Sequence, residues 1–306
     1  MYITDKTILK INGFNYIGSY LKGWLYKIIT RKSLNVFVRS IDSIAISPQV
    51  NGNYDPALIN VIDQFCLSGY SDFFIDIGAN IGMVSCQVQN RFKVVHMFEP
   101  NKLCSKVLEV NAQLNSISNN YVVHEYGLAS VNKEAILKIP KRNWGGAFIQ
   151  DEDNSYRPEL LAKKECVSSF IDSDFISLPI ELKKASDILG QIFNDLDKLK
   201  MNNGIIKLDV EGYEDSILKE IATCLPTKLN IVIIFESWSG DIPVHQIFRD
   251  IISYQKITRS PPWQERWPKL VKLLLLGCGL PVKYNLETVW NKAPGDYVIR
   301  IGSHID

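Results

Sequence analysis

The chain lacks the features of several protein classes. Its six cysteines stand singly with no C-x-x-C pair, and its first residues, MYITDKTILKING, contain no apolar signal core. No stretch reaches the roughly 18 apolar residues that a membrane-spanning helix needs. Single cysteines without a signal sequence predict reduced thiols, and therefore a cytoplasmic protein that does not span a bilayer.

An excess of charge of either sign is also lacking. The formal net charge is +1 and the isoelectric point is about 7.6, so nothing global attracts the chain to nucleic acid. The 306 residues are 46% hydrophobic and 22% charged, which is an ordinary globular composition that can bury a full core. We therefore expect a globular protein without a nucleic-acid partner.

The stretch FFIDIGANIGMVSCQ, residues 73–87, joins an apolar run to a glycine turn and then to a helix-like segment. A continuous apolar run predicts an inner strand of a parallel sheet. The turn that follows then lies at the carboxyl edge of the sheet, where open α/β sheets bind their ligands.

Strands and helices alternate after this point. The other predicted strands are KVVHMFEP (93–100), YVVHEYGLAS (121–130), GIIKLDVEG (204–212) and LNIVIIFES (229–237). Helices are predicted to begin after Asp55 and Asn101, which are suited to N-caps, and to include SDILGQIFNDLDKLK (186–200). This rhythm predicts an α/β fold with a doubly wound parallel sheet.

The flanking regions are predicted to be additions to this core. Residues 1–50 are expected to form an adjunct, with a small hairpin in LNVFVRSIDSIAIS (34–47). Residues 51–306 are expected to form the main domain, with a long irregular lid at about 141–179 and a C-terminal extension at about 258–306. Within the extension, residues 263–280 predict packing within the fold, or else contact with a membrane surface or a second copy.

The glycine turn lacks the G-x-G-x-x-G pattern that binds the pyrophosphate of a dinucleotide. Asp76 precedes the turn directly, where it would repel a pyrophosphate but accept hydrogen bonds from a cationic amino-acid tail. S-adenosylmethionine has such a tail and no phosphate. Glu99 ends the next predicted strand about 20 residues later, the spacing at which an acid accepts ribose hydroxyls. The alternative for Glu99 is a solvated turn residue.

These motifs resemble those of the FkbM-type S-adenosylmethionine-dependent methyltransferases. The resemblance rests on FIDIGANIG (74–82), FEPN (98–101) and IKLDVEGYE (206–214), with weaker agreement at GLAS (127–130) and at Gly145 and Gly146. It covers roughly residues 72–237. It implies a class I methyltransferase fold, which is a Rossmann-like, doubly wound and mostly parallel sheet with an antiparallel last strand.

The resemblance also implies a cofactor and its site. Asp76, Gly78, Asn80 and Gly82 would hold the amino-acid end of S-adenosylmethionine, Glu99 would hold the ribose, and Glu125 or Tyr126 would lie near the adenine. The methyl group would be transferred to a hydroxyl, typically of a sugar in a surface glycan or its precursor.

The segment KLDVEGYED places four carboxylates around one strand-to-helix turn. Asp209 is the first candidate for an acid that accepts the hydroxyl proton of the substrate, and Glu211 is the second. Glu214 and Asp215 fit the first turn of a helix, where acids stabilise the positive end of the dipole. A divalent metal could bind the same carboxylates, but it is not favoured because no second cluster stands at a fixed spacing.

Further residues are candidates for contact with the substrate. His245 is a candidate general base, and Glu236 ends the fifth strand. Trp144 and Gly146 suit a lid over a sugar ring, or else pack that lid onto the core. The alternatives are a polyketide or lipid hydroxyl as the acceptor, or a non-catalytic scaffold that binds the cofactor. A base methyltransferase is disfavoured because no Asn-Pro-Pro-Tyr segment follows the fourth strand.

Overall fold

The computed structural model describes residues 13–31, 33–39, 42, 48–49, 52–141, 143–152, 154, 172–238, 240, 242–260, 268, 271, 283–289 and 293–302. The strands are β1 (Phe73–Ile77), β2 (Val94–Phe98), β3 (Tyr121–His124), β4 (Gly127–Ala129), β5 (Lys133–Pro140), β6 (Phe148–Ile149), β7 (Phe175–Lys184), β8 (Asn203–Leu208), β9 (Asn230–Ser237), β10 (Ile251–Ser260), β11 (Lys283–Thr288) and β12 (Gly295–Ile301). The helices are α1 (Gly13–Ile29), α2 (Pro56–Leu67), α3 (Ser85–Val88), α4 (Lys102–Asn115), α5 (Ala185–Lys198), α6 (Glu214–Cys224) and α7 (Val244–Ile247).

Among the described residues, the main sheet has eight strands in the order β11-β10-β12-β9-β8-β1-β2-β3. Strands β3, β2, β1, β8 and β9 are parallel neighbours. The last strand, β12, runs antiparallel to both β9 and β10. The chain therefore has the predicted α/β fold, Rossmann-like, with a large and mostly parallel sheet and an antiparallel last strand.

Strand β1 forms the centre because its side chains are buried on both faces. Phe73, Ile75 and Ile77 pack on one face with residues of α5 and α6. Phe74 packs on the other face with residues of α2 and α4. All five residues of β1 are buried, which confirms the prediction of an inner strand from its apolar run.

Two predicted helix starts are confirmed by their caps. The Asp55 carboxylate accepts a hydrogen bond from the Leu58 N–H at 3.1 Å, and Pro56 is the first residue of α2. The Asn101 side chain accepts one from the Leu103 N–H at 3.1 Å. These bonds satisfy N–H groups that have no partner inside the helix, so they stabilise the amino ends of α2 and α4.

The predicted third strand is wrong in its extent. Residues 121–130 do not form one strand, because the chain leaves the main sheet after β3 and enters a second sheet at β4. That sheet has the order β4-β7-β5-β6. A Cβ at Gly127 would lie only 2.6 Å from Leu182 Cδ2, so glycine allows β4 to pack closely on β7 at the point of change.

The prediction of an irregular insertion is also wrong in part. Residues 148–149 and 175–179 lie in strands of the second sheet, and β5 before them pairs with β7 over eight positions. Partly buried and exposed residues alternate along much of β5 and β7. Both strands contain many polar residues, so the sequence did not show this alternation clearly. Residues 155–171 of the predicted lid lie outside the described residues.

The two ends of the chain differ from their predictions. Residues 33–39 and 42, which overlap the predicted hairpin, contain no strand among the described positions. At the other end, β10, β11 and β12 are part of the main sheet rather than an extension. The segment 263–280 lies outside the described residues except at Pro268 and Val271. Among the helices described, none has the length and apolar character to cross a membrane.

Candidate active site

A cavity of about 460 Å³ opens at the carboxyl edge of the main sheet. This volume lies within the range of about 300–1,000 Å³ that is usual for small-molecule sites. Its walls include the ends of four parallel strands, the amino end of α2 and the turn at residues 144–146. The predicted site residues that line it are Gly78, Asn80, Glu99, Trp144, Gly146, Asp209, Glu211 and Glu236.

The turn after β1 has a backbone that only glycine allows at one position. Gly78 has φ +84°, and a Cβ there would lie 1.8 Å from the carbonyl oxygen of Asp209. The N–H groups of Gly78 and Ala79 both donate to the Phe98 carbonyl at 3.0 Å. The turn is therefore held against the ends of β2 and β8, which bound the cavity.

Asn80 and Gly82 have different places in this turn. Asn80 has φ +52°, and its buried Oδ1 has no hydrogen-bond partner among the described residues. Gly82 does not line the cavity. A Cβ at Gly82 would lie 2.8 Å from both Cys86 Sγ and Leu108 Cδ1, so its glycine serves the packing of α3 and α4.

Glu99 joins the turn after β1 to the start of α4. Its Oε2 accepts from the Asn80 N–H and its Oε1 from the Asn101 N–H, both at 2.8 Å. Burial raises the pKa of Glu99 to about 7, although these two hydrogen bonds favour the charged form. Glu99 lines the cavity with 8% of its surface exposed, and each carboxylate oxygen keeps a second lone pair for a ligand.

Asp76 lies behind the cavity wall. Its carboxylate is fully buried, accepts a hydrogen bond from the Ser85 hydroxyl, and forms an ion pair of 3.1 Å with the Lys207 ammonium. Asp76 and Lys207 are opposite each other in the pairing of β1 with β8. Asp76 is therefore paired with a cation of the protein, Lys207. The resemblance had implied the ammonium group of the cofactor as the partner of Asp76.

Lys207 is a site residue that the sequence reasoning missed. Its ammonium also lies 3.3 Å from the Gly78 carbonyl and 3.6 Å from Asp209 Oδ2. Burial lowers the pKa of Lys207, but the charges of Asp76 and Asp209 outweigh it, so that the pKa stays above its usual range. A lysine inside the apolar run GIIKLD was the signal that a buried ion pair exists here.

Three carboxylates meet at the ends of β8 and β9. Carboxylate oxygens of Asp209, Glu211 and Glu236 all lie within 4.8 Å of one another. Asp209 is the accessible member, with 42% of its side chain exposed, whereas Glu211 is buried. Oxygen ligands at this spacing suit a hard cation, and the same group of acids suits the acceptance of a proton.

Glu214 stabilises the turn that follows β8 by hydrogen bonds to its backbone. Its two carboxylate oxygens accept from the N–H groups of Val210 and Gly212, both at 3.0 Å. Burial raises the pKa of Glu214 to about 7, against the effect of the hydrogen bonds. Glu214 is thus a structural residue of the β8–α6 turn. Asp215 forms a salt bridge with Lys219.

Two further acids of the cavity were not identified as site residues. Asp296, on β12, is the cross-strand neighbour of Glu236 on β9, and burial together with the charges of Asp55 and Glu236 raises its pKa to about 7. Asp55 lines the cavity as well as capping α2, and burial raises its pKa. Asp296 could not be found by spacing because it lies 60 residues after Glu236 and meets it only through antiparallel pairing.

The Trp144 turn covers one side of the cavity. Arg39 lies over the Trp144 ring with 4.4 Å between its guanidinium carbon and the ring centroid, and the Asp42 carboxylate accepts from the backbone N–H of Trp144 at 3.2 Å. Residues of the N-terminal region therefore help to hold this turn. Gly146 is buried in the same turn.

Besides Asp76 and Gly82, three further predicted residues do not line the cavity. His245 is exposed on α7, and its ring contacts Tyr254 edge-on. Glu125 is exposed and accepts from the Ser105 hydroxyl at 3.2 Å. Tyr126 lies beneath the Lys183 ammonium, and its hydroxyl is 3.2 Å from His124 Nδ1. The geometry brings none of them to the Glu99 or Asp209 side of the cavity.

Comparisons with known proteins give no family assignment. No protein-family model matches the chain, and no curated protein matches its sequence. Among solved structures, Methyltransferase FkbM from Methylobacillus flagellatus KT has 14% identity and a TM-score of 0.37, over 75% of this chain and 43% of that one.

Two other structural neighbours cover more of their own length. A TehB-like SAM-dependent methyltransferase from Corynebacterium glutamicum ATCC 13032 has 9% identity and a TM-score of 0.37, over 95% of this chain and 99% of that one. An rRNA methylase from Streptococcus thermophilus has 8% identity and a TM-score of 0.35, over 81% and 93%. Identities and TM-scores this low assign this chain neither to a family nor to an activity.

Proposed function

We propose that this protein is an S-adenosylmethionine-dependent methyltransferase of the class I fold, related to the FkbM type, that methylates a hydroxyl group. The observation that carries the proposal is the composition of one cavity: the Gly78–Asn80 turn and Glu99 line one side of it, and Asp209 with Glu236 lines the other. One side suits an adenosine cofactor without a phosphate, and the other suits a group that loses a proton.

The residues on the cofactor side fit S-adenosylmethionine, which supplies an electrophilic methyl group when bound. Glu99 would accept the ribose hydroxyls with its remaining lone pairs. Asn80 Oδ1, buried without a partner among the described residues, would accept from the ammonium of the amino-acid end. Lys207 would attract the carboxylate of that end, and Asp76 would keep the lysine charged and in place.

Asp209 would act on the acceptor. Its carboxylate is the most accessible of the three that meet there, and it can take the proton of a hydroxyl as the new C–O bond forms. Glu211 and Glu236 would orient the acceptor by further hydrogen bonds. His245 has no part in this scheme because it does not line the cavity.

We propose a sugar of a surface glycan or its precursor as the acceptor. Trp144 offers an aromatic ring for the apolar face of a sugar, and the acids beyond it offer acceptors for hydroxyl groups. A polyketide or lipid hydroxyl is the alternative, and the three-carboxylate cluster also fits a divalent cation. Transfer of labelled methyl from S-adenosylmethionine to sugar nucleotides, oligosaccharides and hydroxylated metabolites, with and without chelator, distinguishes these cases.

The first test is calorimetric binding of S-adenosylhomocysteine to the wild type and to Glu99→Gln. Loss of the charged acceptor should weaken binding by about 1.5–3 kcal/mol. The matched control is Glu125→Gln, an exposed glutamate outside the cavity, which should leave the affinity unchanged. Absence of binding to the wild type would reject the cofactor, and equal affinity in Glu99→Gln would reject the ribose contact.

A further inference from the structure

Helix α1 carries an exposed apolar stripe. Every residue from Ser19 to Ile28 is exposed. Six large side chains in this stretch are each 44% exposed or more: Tyr20, Leu21, Trp24, Leu25, Tyr26 and Ile28. All of them except Tyr26, at positions i, i+1, i+4, i+5 and i+8, fall on one face of an α-helix. The helix therefore presents a continuous apolar stripe instead of scattered apolar residues.

Such a helix needs a partner in order to be stable. In proteins, most of the stability of an amphipathic helix comes from packing of its apolar face, and the apolar face of this 17-residue helix is exposed. Contiguous exposed apolar surface in soluble proteins marks a site of interaction. The stripe on α1 is therefore a candidate interaction surface.

The charges of α1 indicate what that partner is. Its only charged residues are Lys22 and Lys27, and Arg31 follows its end. Lys22 and Lys27 flank the two edges of the stripe, as helical periodicity places them. A second copy packed on this face would offer no acid of its own α1 to pair with these lysines, whereas an anionic surface would attract all three cations.

We propose that α1 binds to the surface of an anionic lipid bilayer. Its apolar stripe would enter the boundary between headgroups and acyl chains, as in amphipathic interfacial helices. Tyr20 and Trp24 have amphipathic rings that suit this depth, and Lys22, Lys27 and Arg31 would contact the anionic headgroups. This inference stands on α1 alone and does not depend on the proposed methyl transfer.

The experiment is co-sedimentation of the full chain with vesicles of phosphatidylcholine, with and without phosphatidylglycerol. The wild type should bind the anionic vesicles, and Leu21→Gln/Trp24→Gln should reduce that binding by about tenfold or more. Lys22→Gln/Lys27→Gln should weaken it less and should remove most of its salt dependence. The matched control is Leu67→Gln/Ile117→Gln, at residues 83% and 87% exposed elsewhere, which should bind like the wild type.

Several results would overturn the proposal. The wild type could fail to bind anionic vesicles, or the control variant could lose as much binding as the stripe variant. A dimer seen by light scattering that Leu21→Gln/Trp24→Gln dissociates, without vesicle binding, would show that a second copy covers the stripe. Calorimetry with S-adenosylhomocysteine on the stripe variant keeps the two proposals apart, because cofactor affinity should not change.

Discussion

The two sides of the cavity hold their acids in opposite ways. On the side of β1 and β2, both acids have partners within the fold: Asp76 bonds to Ser85 and Lys207, and Glu99 to two backbone N–H groups. On the side of β8, β9 and β12, acids lie close to one another, and the charges of Glu236 and Asp209 contribute to the raised pKa of Asp296.

The difference indicates that the two sides of the cavity serve different functions. The first side is already organised, so it can bind a ligand without rearrangement, which reduces the cost of binding. The second side concentrates negative charge in a partly buried space, which is unfavourable for stability and useful for accepting a proton or binding a hydroxyl-rich molecule. Of the described residues that line the cavity, Lys207 is the one cation, and it contacts acids of both sides.

Removing Lys207 should have the largest effect on the first side. Lys207→Met leaves the buried Asp76 carboxylate without its cation, which should cost about 3–5 kcal/mol of unfolding free energy. Lys93→Met is the matched control, because Lys93 pairs with Asp72 at 2.6 Å but is 62% exposed, and it should cost at most about 1 kcal/mol. Urea denaturation measures both. Equal losses would mean that burial does not distinguish the two pairs.

Gly78→Ala should cause the next largest loss of stability. The added Cβ would meet the Asp209 carbonyl oxygen in a backbone with φ +84°, so steric overlap of about 1–3 kcal/mol adds to a left-handed penalty of about 1–2 kcal/mol. Gly69→Ala, with φ +93° and no atom within 4 Å of its Cβ, carries only the second penalty. Thermal unfolding and cofactor binding compare the two variants, and equal stability would contradict the steric contact.

Asp209→Asn tests the second side by activity. Loss of the proton acceptor should lower kcat by about 100-fold, or about 2.7 kcal/mol, while affinity for S-adenosylhomocysteine should change little. Asp215→Asn is the control, because Asp215 follows the same turn but does not line the cavity. Steady-state kinetics with an identified acceptor measures both variants. Full turnover in Asp209→Asn would exclude Asp209 as the base.

Asp296→Asn should have the smallest effect, with a clear dependence on pH. The pKa of Asp296 is raised to about 7 from 3.8, so between these values the folded state keeps a proton that the unfolded state has lost. Stability therefore falls as the pH rises through this window. The variant should lack this part of the fall, so it should gain stability relative to the wild type as the pH rises from 4 to 8. Thermal unfolding of both proteins between pH 4 and pH 8 measures this difference. The same dependence of Tm on pH in both proteins would contradict the assignment.

Local patterns predicted the centre of the fold. Three features depend mainly on residues that are near in the sequence: the apolar run of β1, the helix caps at Asp55 and Asn101, and the acid Glu99 at the end of β2. The local sequence was therefore sufficient to predict them. The second sheet was missed because β5 and β7 are half exposed and β6 has only two residues. Strands of this kind are stabilised by pairing with distant partners rather than by their own composition.

The sequence by itself determined the alternation of elements and the positions of the glycine turn, Glu99 and Asp209, because strand ends in a parallel sheet meet at one edge. Tertiary structure decided which charges those residues meet. The pairing of β1 with β8 places Lys207 on Asp76, and the antiparallel pairing of β12 with β9 brings Asp296 beside Glu236. Strand register depends on the packing of the whole sheet, so no local pattern specifies these pairs.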